Sequence, residues 1–538
     1  MKIKETITVD YLVIGSGIAG LYMSKKLADT GFKTLLATEG IVGGGASFFP
    51  LKGTLGIQTT GDNLEDKIYF QEDISNMGNK MDNPEMVKTY IEESPAVPDS
   101  LKEIGFDPWL RDDKRPACFA KYPRNIYLIK DWNGSREKAQ NILNSYENLI
   151  KFEHSQLIKI FTHKGEVTGA ILKKKDKFIA IKTKIIVLCT GGIAGLYKNK
   201  LYPKDIKGIG HYLALDAGAQ LTNMEFIQFI PGFIEPKYNV LFGEHTAKYS
   251  TGLYDENMKK VLEGIDDSNL KKLWIERSSY APFSFDFKSH LIDLKMMEVI
   301  EKNNRGVYIK FKKELYEDEG EFYRVYLNWL KNDLDIDMCR DNIMIAPFAH
   351  SCNGGIKIDI NGKTDINGLY AIGEVASGIE GANRLGGNSV GGALVFGKRA
   401  VEHIENYLNN LTIKKYISNE SIKNWIEGLY SKDGNDLYTS YEVEKKIKDI
   451  LSKYGSIIRE ERNLNVGLEE LKKLEQNFSL ISNIELDGFE TYYSLKMAQL
   501  LLTCMKNRKE SRGSHYRKDY PYTENTPQKN YINKEIFL

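Results

Sequence analysis

The chain has 538 residues, 42% apolar and 27% charged, which is the composition of an ordinary globular protein and not of a disordered or fibrous one. Lys and Arg total 74 against 73 Asp and Glu, a net charge of +1 with no long block of one sign, so no nucleic acid is expected as a partner. The length exceeds what one hydrophobic core supports, and the five cysteines (Cys118, Cys189, Cys339, Cys352, Cys504) show no CxxC or Cys/His ligand spacing, so two or three structural units and no metal site are expected.

The chain opens on "MKIKETITVDYLVIGSG", whose apolar run is too short for a signal-peptide core. No uninterrupted apolar run reaches the roughly 18 residues of a bilayer-spanning helix, so no transmembrane segment and a cytoplasmic location are expected. "TITVDYLVI" reads as a buried strand, "GSGIAG" as a glycine turn and "LYMSKKLADTGF" as a helix, followed by a second strand, "KTLLATEG". This order fits a dinucleotide site. Gly15, Ser16, Gly17, Ala19 and Gly20 would let the backbone approach a pyrophosphate at the helix N-terminus, and Glu39 would accept from an adenosine ribose. Further on, "TKIIVLCTGG" ends a strand at Thr190 and Gly191, and "GLYAIGE" ends another at Glu374. Glycine turns returning to one crevice from three distant places suit a long cofactor such as FAD better than NAD.

Between these last two lies "APFAHSCNGG", where a histidine, a cysteine and an asparagine fall within four residues. A metal, a nucleophile pair and a hydrogen-bond donor to a substrate all remain open at this point. "GANRLGGNSVGG" contains Gly-Asn-Ser-Val-Gly, the pattern of a serine-hydrolase elbow, but a loop and not a strand precedes it. Towards the C-terminus, Ile447, Ile450, Leu451, Tyr454, Ile457 and Ile458 fall on one expected helical face, and "YYSLKMAQLLLTCMKNRKE" reads as a second long helix, both as bundle packing.

Taken together, "GSGIAG", "CTGGIAGLY", "GHYLALDAGAQLTNMEFIQF", "AHSCNGGI", "TDINGLYAIGE", "GANRLGGNSVGGALVFGKRA" and "RKESRGSHYRKDYP" resemble the flavoprotein subunit family of succinate dehydrogenase and fumarate reductase, which includes L-aspartate oxidase. The resemblance runs over nearly the whole chain. It implies an α/β fold: a Rossmann-like FAD-binding domain in two segments (1–230 and 345–410), an inserted α+β capping domain (231–344) and a C-terminal helical domain (411–538). It also implies a flavin enzyme acting on a small anionic substrate, with an electron-transfer partner protein in some members. Gly45, Ala46 and Ser47 would join the cofactor contacts. Asn388, Ser389 and Val390 would stand at a helix start beside the flavin, with Ser389 as the cap and Arg384 just before it to grip a substrate carboxylate. His350 matches the family's histidine that hydrogen-bonds the substrate carboxylate, and Glu244 stands where the family carries a pocket glutamate.

The departures bear on the substrate. Ile230 replaces a substrate-binding histidine, and Ile209 an acid that contacts the flavin. The proton-shuttling arginine is expected where the chain has Phe283, with Lys288 and Arg277 only nearby. No histidine follows Ser47 to carry covalent flavin, so non-covalent FAD is expected. The expected function is hydride transfer between flavin N5 and a carbon next to a carboxylate or similar anion, other than fumarate or succinate. The alternatives are an L-aspartate oxidase-like enzyme and a flavin-bearing subunit that needs an iron-sulphur partner.

Overall fold

The computed structural model describes residues 2–61, 63–113, 115–409, 415–431, 434–484 and 487–537. Its central sheet runs in the order Leu369–Ala371, Ile185–Leu188, Tyr11–Ile14, Thr34–Ala37, Leu149–Phe152, with every neighbouring pair parallel. Each of the first four strands is buried along its whole length, which is why all read as near-continuous apolar runs. Helix Ile18–Asp29 packs on this sheet through Leu21, Tyr22, Met23 and Leu27, with helix Asn388–Asn409 against it. A second sheet, Ile3–Thr8, Lys177–Lys182, Glu166–Lys174 and Ser155–His163, flanks the first. The architecture is the expected α/β one.

The cap is built on a five-stranded sheet of Val240–Leu241, Ile227–Glu235, Ile343–Cys352, Val307–Phe311 and Ser250–Tyr254, antiparallel throughout. Helices Asp267–Arg277, His290–Asn303 and Glu321–Leu334 accompany it, and Phe242, Trp274, Ile292, Ile309 and Leu330 share a core separate from that of the cofactor sheet. Strands Ile227–Glu235 and Ile343–Cys352 each run across one of the borders expected at 230 and 344, so the same two strands lead from cofactor to cap. The border expected at 410 lies outside the described residues.

Near the C-terminus, helices Ser440–Tyr454, Glu461–Gln476 and Gly488–Asn507 pack on one another. The first opens on a Thr439–Glu442 capping box and buries Val443, Ile447, Ile450, Leu451 and Tyr454. It is shorter than the sequence suggested: it stops before Gly455, so Ile457 lies beyond it and Ile458 belongs to the two-residue strand Ile458–Arg459. The "RKESRGSHYRKDYP" segment supplies a buried ion network. Arg508 contacts Glu225 at 2.5 Å and Glu510 at 2.6 Å, Arg512 holds Glu510 at 2.9 Å, and Arg459 donates to the Glu225 carbonyl at 2.8 Å. Glu225 precedes strand Ile227–Glu235, so this network fixes the strand that enters the site. No helix among the described residues is long and apolar enough to cross a membrane.

Candidate functional site

An extended cavity runs along the carboxyl ends of the parallel strands, where this class of sheet places its ligands. At one end lie Gly15, Ser16, Gly17 and Ala19, then Thr38 and Glu39, with Thr190 and Gly191 opposite. Gly15 has φ +98°, and a Cβ there would sit 2.3 Å from the Cys189 carbonyl oxygen; at Gly20 a Cβ would sit 1.9 Å from the Gly15 carbonyl oxygen. The strand, turn and helix can approach this closely only without side chains. Gly20 therefore shapes the turn from behind and does not itself line the cavity.

Helix Ile18–Asp29 has no side-chain cap from Gly17 and no acid in its first turn; Ser47 Oγ accepts from Ile18 N at 3.1 Å. That leaves a helix N-terminus open to an anion. Ser16 Oγ donates to Ile41 O at 3.0 Å and lies 3.0 Å from Thr38 Oγ1, which fixes the turn. Glu39 accepts from Gln156 Nε2 at 2.9 Å, and burial, reinforced by the Glu490 charge, pushes its carboxyl up to about 8. Thr190 Oγ1 is buried in the wall with no partner among the described residues. An extended cavity, an uncapped helix start, a carboxyl at the end of the second strand and an orphan hydroxyl suit the pyrophosphate, ribose and ring of FAD. Gly45, Ala46, Ser47, Glu374, Ser389 and Val390 line the same space.

Arg384, His350, Tyr202, Lys52 and Ser389 also line the cavity, together with the apolar Phe49, Leu55, Leu201 and Leu241. Arg384 donates from Nη1 to Ser389 Oγ and from Nε to Gln228 Oε1 at 3.2 Å. No partner for its Nη2 is found among the described residues. His350 lies in strand Ile343–Cys352 where the pairing slips: Phe229 pairs with Ala349 but Ile227 with Cys352, and the bulge turns His350 to the cavity. Burial, and then the Arg384 and Lys52 charges, hold its imidazole well below the usual range, so it is neutral. Its Nδ1 is buried without a partner among the described residues, and the Tyr202 ring meets the imidazole edge-on at 5.2 Å. Tyr202 donates to Glu374 at 2.6 Å and Cys352 N–H donates to the same carboxyl at 3.1 Å, yet burial still pushes Glu374 up to about 7.

Several expected residues sit elsewhere. Ser389 is inside helix Asn388–Asn409, one residue past its start, so it does not cap the helix; its hydroxyl accepts from Arg384 instead. Asn388 is buried against Tyr90, whose hydroxyl lies 3.4 Å from its Oδ1, and it is not part of the cavity wall. Glu244 stands apart from that wall too, in the short Glu244–Tyr249 turn of the cap, where burial pushes it up to about 7 against the pull of Arg277. Ile230 packs with Leu201, Ala346 and Phe348, one layer behind the cavity. The Phe283 ring lies 6.5 Å from that of Tyr516, away from the wall, and Lys288 is exposed. Arg277 spends its donors on Asp293 and on the Tyr280 and Ala281 carbonyls. Ile209 does line the cavity, at the start of helix Ile209–Ala217.

Lys52, Tyr202 and Gln228 were not foreseen as site residues. None belongs to a periodic or glycine-punctuated pattern, and only the fold brings them to Arg384 and His350. No cluster of three or more His, Cys, Asp or Glu that could hold a metal is found among the described residues.

The family described as "FAD binding domain" matches residues 10–390, and "Fumarate reductase flavoprotein C-term" matches residues 444–537. L-aspartate oxidase of Bacillus subtilis is 28% identical over 97% of this chain and 92% of its own length. The A subunit of fumarate reductase (CoM/CoB) from Methanothermobacter marburgensis is 26% identical over 97% of this chain and 96% of its own. A chain of the Mycobacterium smegmatis Sdh1 complex superimposes with a TM-score of 0.77 at 21% identity, covering 97% of this chain and 90% of that one, and so shares the fold.

Proposed function

The chain belongs to the flavoprotein family of succinate dehydrogenase and fumarate reductase, which includes L-aspartate oxidase, and from that premise we propose that it transfers a hydride between flavin N5 and a carbon adjacent to a carboxylate or similar anion of a small molecule other than fumarate or succinate. It is an FAD-dependent oxidoreductase. The observation that carries the finer reading is the pairing of a guanidinium that has an unused Nη2 with an uncharged histidine, in a cavity that also carries the apolar side chains Phe49, Leu55, Leu201 and Leu241.

Arg384 would hold the carboxylate through charge-assisted hydrogen bonds, its orientation set by Gln228 and Ser389. His350 would donate to the same group from its cavity-facing nitrogen, and the two would stabilise charge that develops on the carboxylate as the neighbouring carbon reacts. Glu244, which burial keeps partly protonated near neutrality, is the cap carboxyl proposed to pass a proton towards this end. Bound FAD supplies the hydride carrier. An electron-transfer partner protein is part of the same proposal, supported by the likeness to one polypeptide of a fumarate reductase and to a chain of the Sdh1 complex.

The similarity to L-aspartate oxidases over almost the full length favours a second reading, an L-aspartate oxidase-like enzyme. The apolar side chains Phe49, Leu55, Leu201 and Leu241 in the lining disfavour a second carboxylate, so L-aspartate with oxygen is expected to release little hydrogen peroxide in a steady-state assay. Sustained peroxide and iminoaspartate production would move the assignment to that enzyme.

The cofactor is expected to be held without a covalent bond. Phe48 and Phe49 follow Ser47, and Phe48 is buried against Phe106, so this segment offers no nucleophile to the flavin. Acid precipitation should leave all the FAD in the supernatant. Flavin absorbance in the washed pellet would contradict this.

A further inference from the structure

Lys52 is a cation inside the cavity that has no counter-charge. Its Nζ donates to the Ala46 and Ser47 carbonyls at 2.9 Å each and lies 4.4 Å from the Trp132 ring centroid. No carboxylate is within ion-pair distance of it among the described residues. The fold holds this arrangement close: Gly53 has φ +70°, and a Cβ there would lie 2.9 Å from the Trp329 ring of the cap, while Leu51 packs into the cap core. The lysine is thereby pinned where the cofactor loop meets the cap.

The groups that face it do not neutralise it. Arg384 and the neutral His350 line the same cavity, and the Glu374 carboxyl is committed to Tyr202 and Cys352 N–H. Glu39 accepts from Gln156, Lys207 pairs with Glu444 and Glu490, and Asp205 is not within ion-pair distance of Lys52. On the helix that carries Trp132, Arg136 donates to Gly43 O and Asn133 Oδ1. From the cap, Leu241 and Trp329 bring no charge. Burial alone pushes the Lys52 ammonium down to about 7. A lysine so placed gains a partner only when a negative charge enters the cavity.

We propose that Lys52 compensates the negative charge that two-electron reduction places on bound FAD, taking up a proton from solvent as the electrons arrive. Reduction to the N1-deprotonated form consumes two electrons and one proton and lowers the cofactor's charge by one. With Lys52 as the amine, a second proton goes from solvent to its Nζ, and reoxidation releases it. The electrons come from the substrate in turnover and from dithionite in the test. The sign is fixed by linkage. Below about pH 7 Lys52 is already an ammonium in both redox states, so one proton accompanies two electrons; above it the uptake rises to about two. Protonation of the reduced flavin itself would give the opposite trend.

The test is a spectroscopic redox titration of the FAD-loaded protein from pH 6 to 9, with Lys52→Met and Lys52→Arg in parallel. The wild type should show the midpoint potential steepening with pH above about 7, from about one proton per electron pair to about two. Lys52→Met, which keeps the stem over Trp132, should hold one proton per pair throughout and a lower potential in acid. Lys52→Arg, charged at every pH, should also hold one proton per pair, and it decides the matter if the methionine variant fails to bind FAD. A wild-type slope of one proton throughout, or a variant that keeps the two-proton slope, overturns the proposal. So does a Lys52→Met protein that binds FAD more weakly but keeps the wild-type slope, since the lysine would then merely grip the phosphates.

Discussion

Arg384→Ala is expected to leave FAD bound and to cut turnover about a hundredfold or more. The contacts that fit the cofactor's pyrophosphate and ribose, at Gly15 to Ala19, Glu39 and Thr190, lie at the far end of the cavity and involve no atom of Arg384. What is lost is a charge-assisted, two-pronged hold on an anion in a water-poor space, worth roughly 3 kcal/mol, or about a hundredfold in rate. The substitution also strips Gln228 Oε1 and Ser389 Oγ of their donor, so a stability loss of about 1 kcal/mol should accompany it. Arg384→Lys should fall between the two, because it restores charge without the planar fork. Flavin content by absorbance, thermal melting and turnover with the fastest substrate separate these effects. Wild-type turnover in the alanine protein would make Arg384 a structural residue that ties Gln228 to Ser389.

The cofactor half of this molecule is legible in its sequence because its determinants are local. A buried strand must be apolar at every position, a turn as tight as that at Gly15 needs glycine, and both signals lie within a few neighbours along the chain. The substrate half is set by long-range geometry. His350 faces the cavity because of a bulge between two strands more than a hundred residues apart, and no local pattern encodes that slip. Ser389 illustrates the same limit at finer scale: a serine after two glycines reads as a cap, but the helix begins one residue earlier and the hydroxyl is recruited by Arg384. Ile230 and Phe283 stand where the family carries its histidine and arginine, and neither lines the cavity. The apolar lining comes instead from Leu201, Leu241, Leu55 and Phe49, with Ile230 supporting Leu201 from behind. Lys52 is not legible in the sequence because a single lysine in an irregular loop carries no periodic signal, and its meaning lies in the lack of a carboxylate within ion-pair distance among the described residues.

Fumarate and succinate are expected to be poor substrates. Arg384 and His350 can hold one carboxylate, but a four-carbon diacid carries a second, and the rest of the lining offers it Phe49, Leu55, Leu201 and Leu241, a Tyr202 hydroxyl committed to Glu374, and Lys52, whose charge is proposed above to serve the reduced flavin. Desolvating that carboxylate without a donor costs several kcal/mol, enough to suppress productive binding by two or more orders of magnitude. A monoanion with an apolar far end would instead bury that end against Leu201 and Leu241 with a favourable desolvation. The most direct measurement is anaerobic reoxidation of the photoreduced, FAD-loaded protein by fumarate and by α,β-unsaturated monocarboxylates, followed by flavin absorbance in stopped flow. Reoxidation by fumarate should be slow or incomplete, and at least one monocarboxylate should reoxidise the flavin faster; rapid, stoichiometric reoxidation by fumarate would contradict this reading of the pocket.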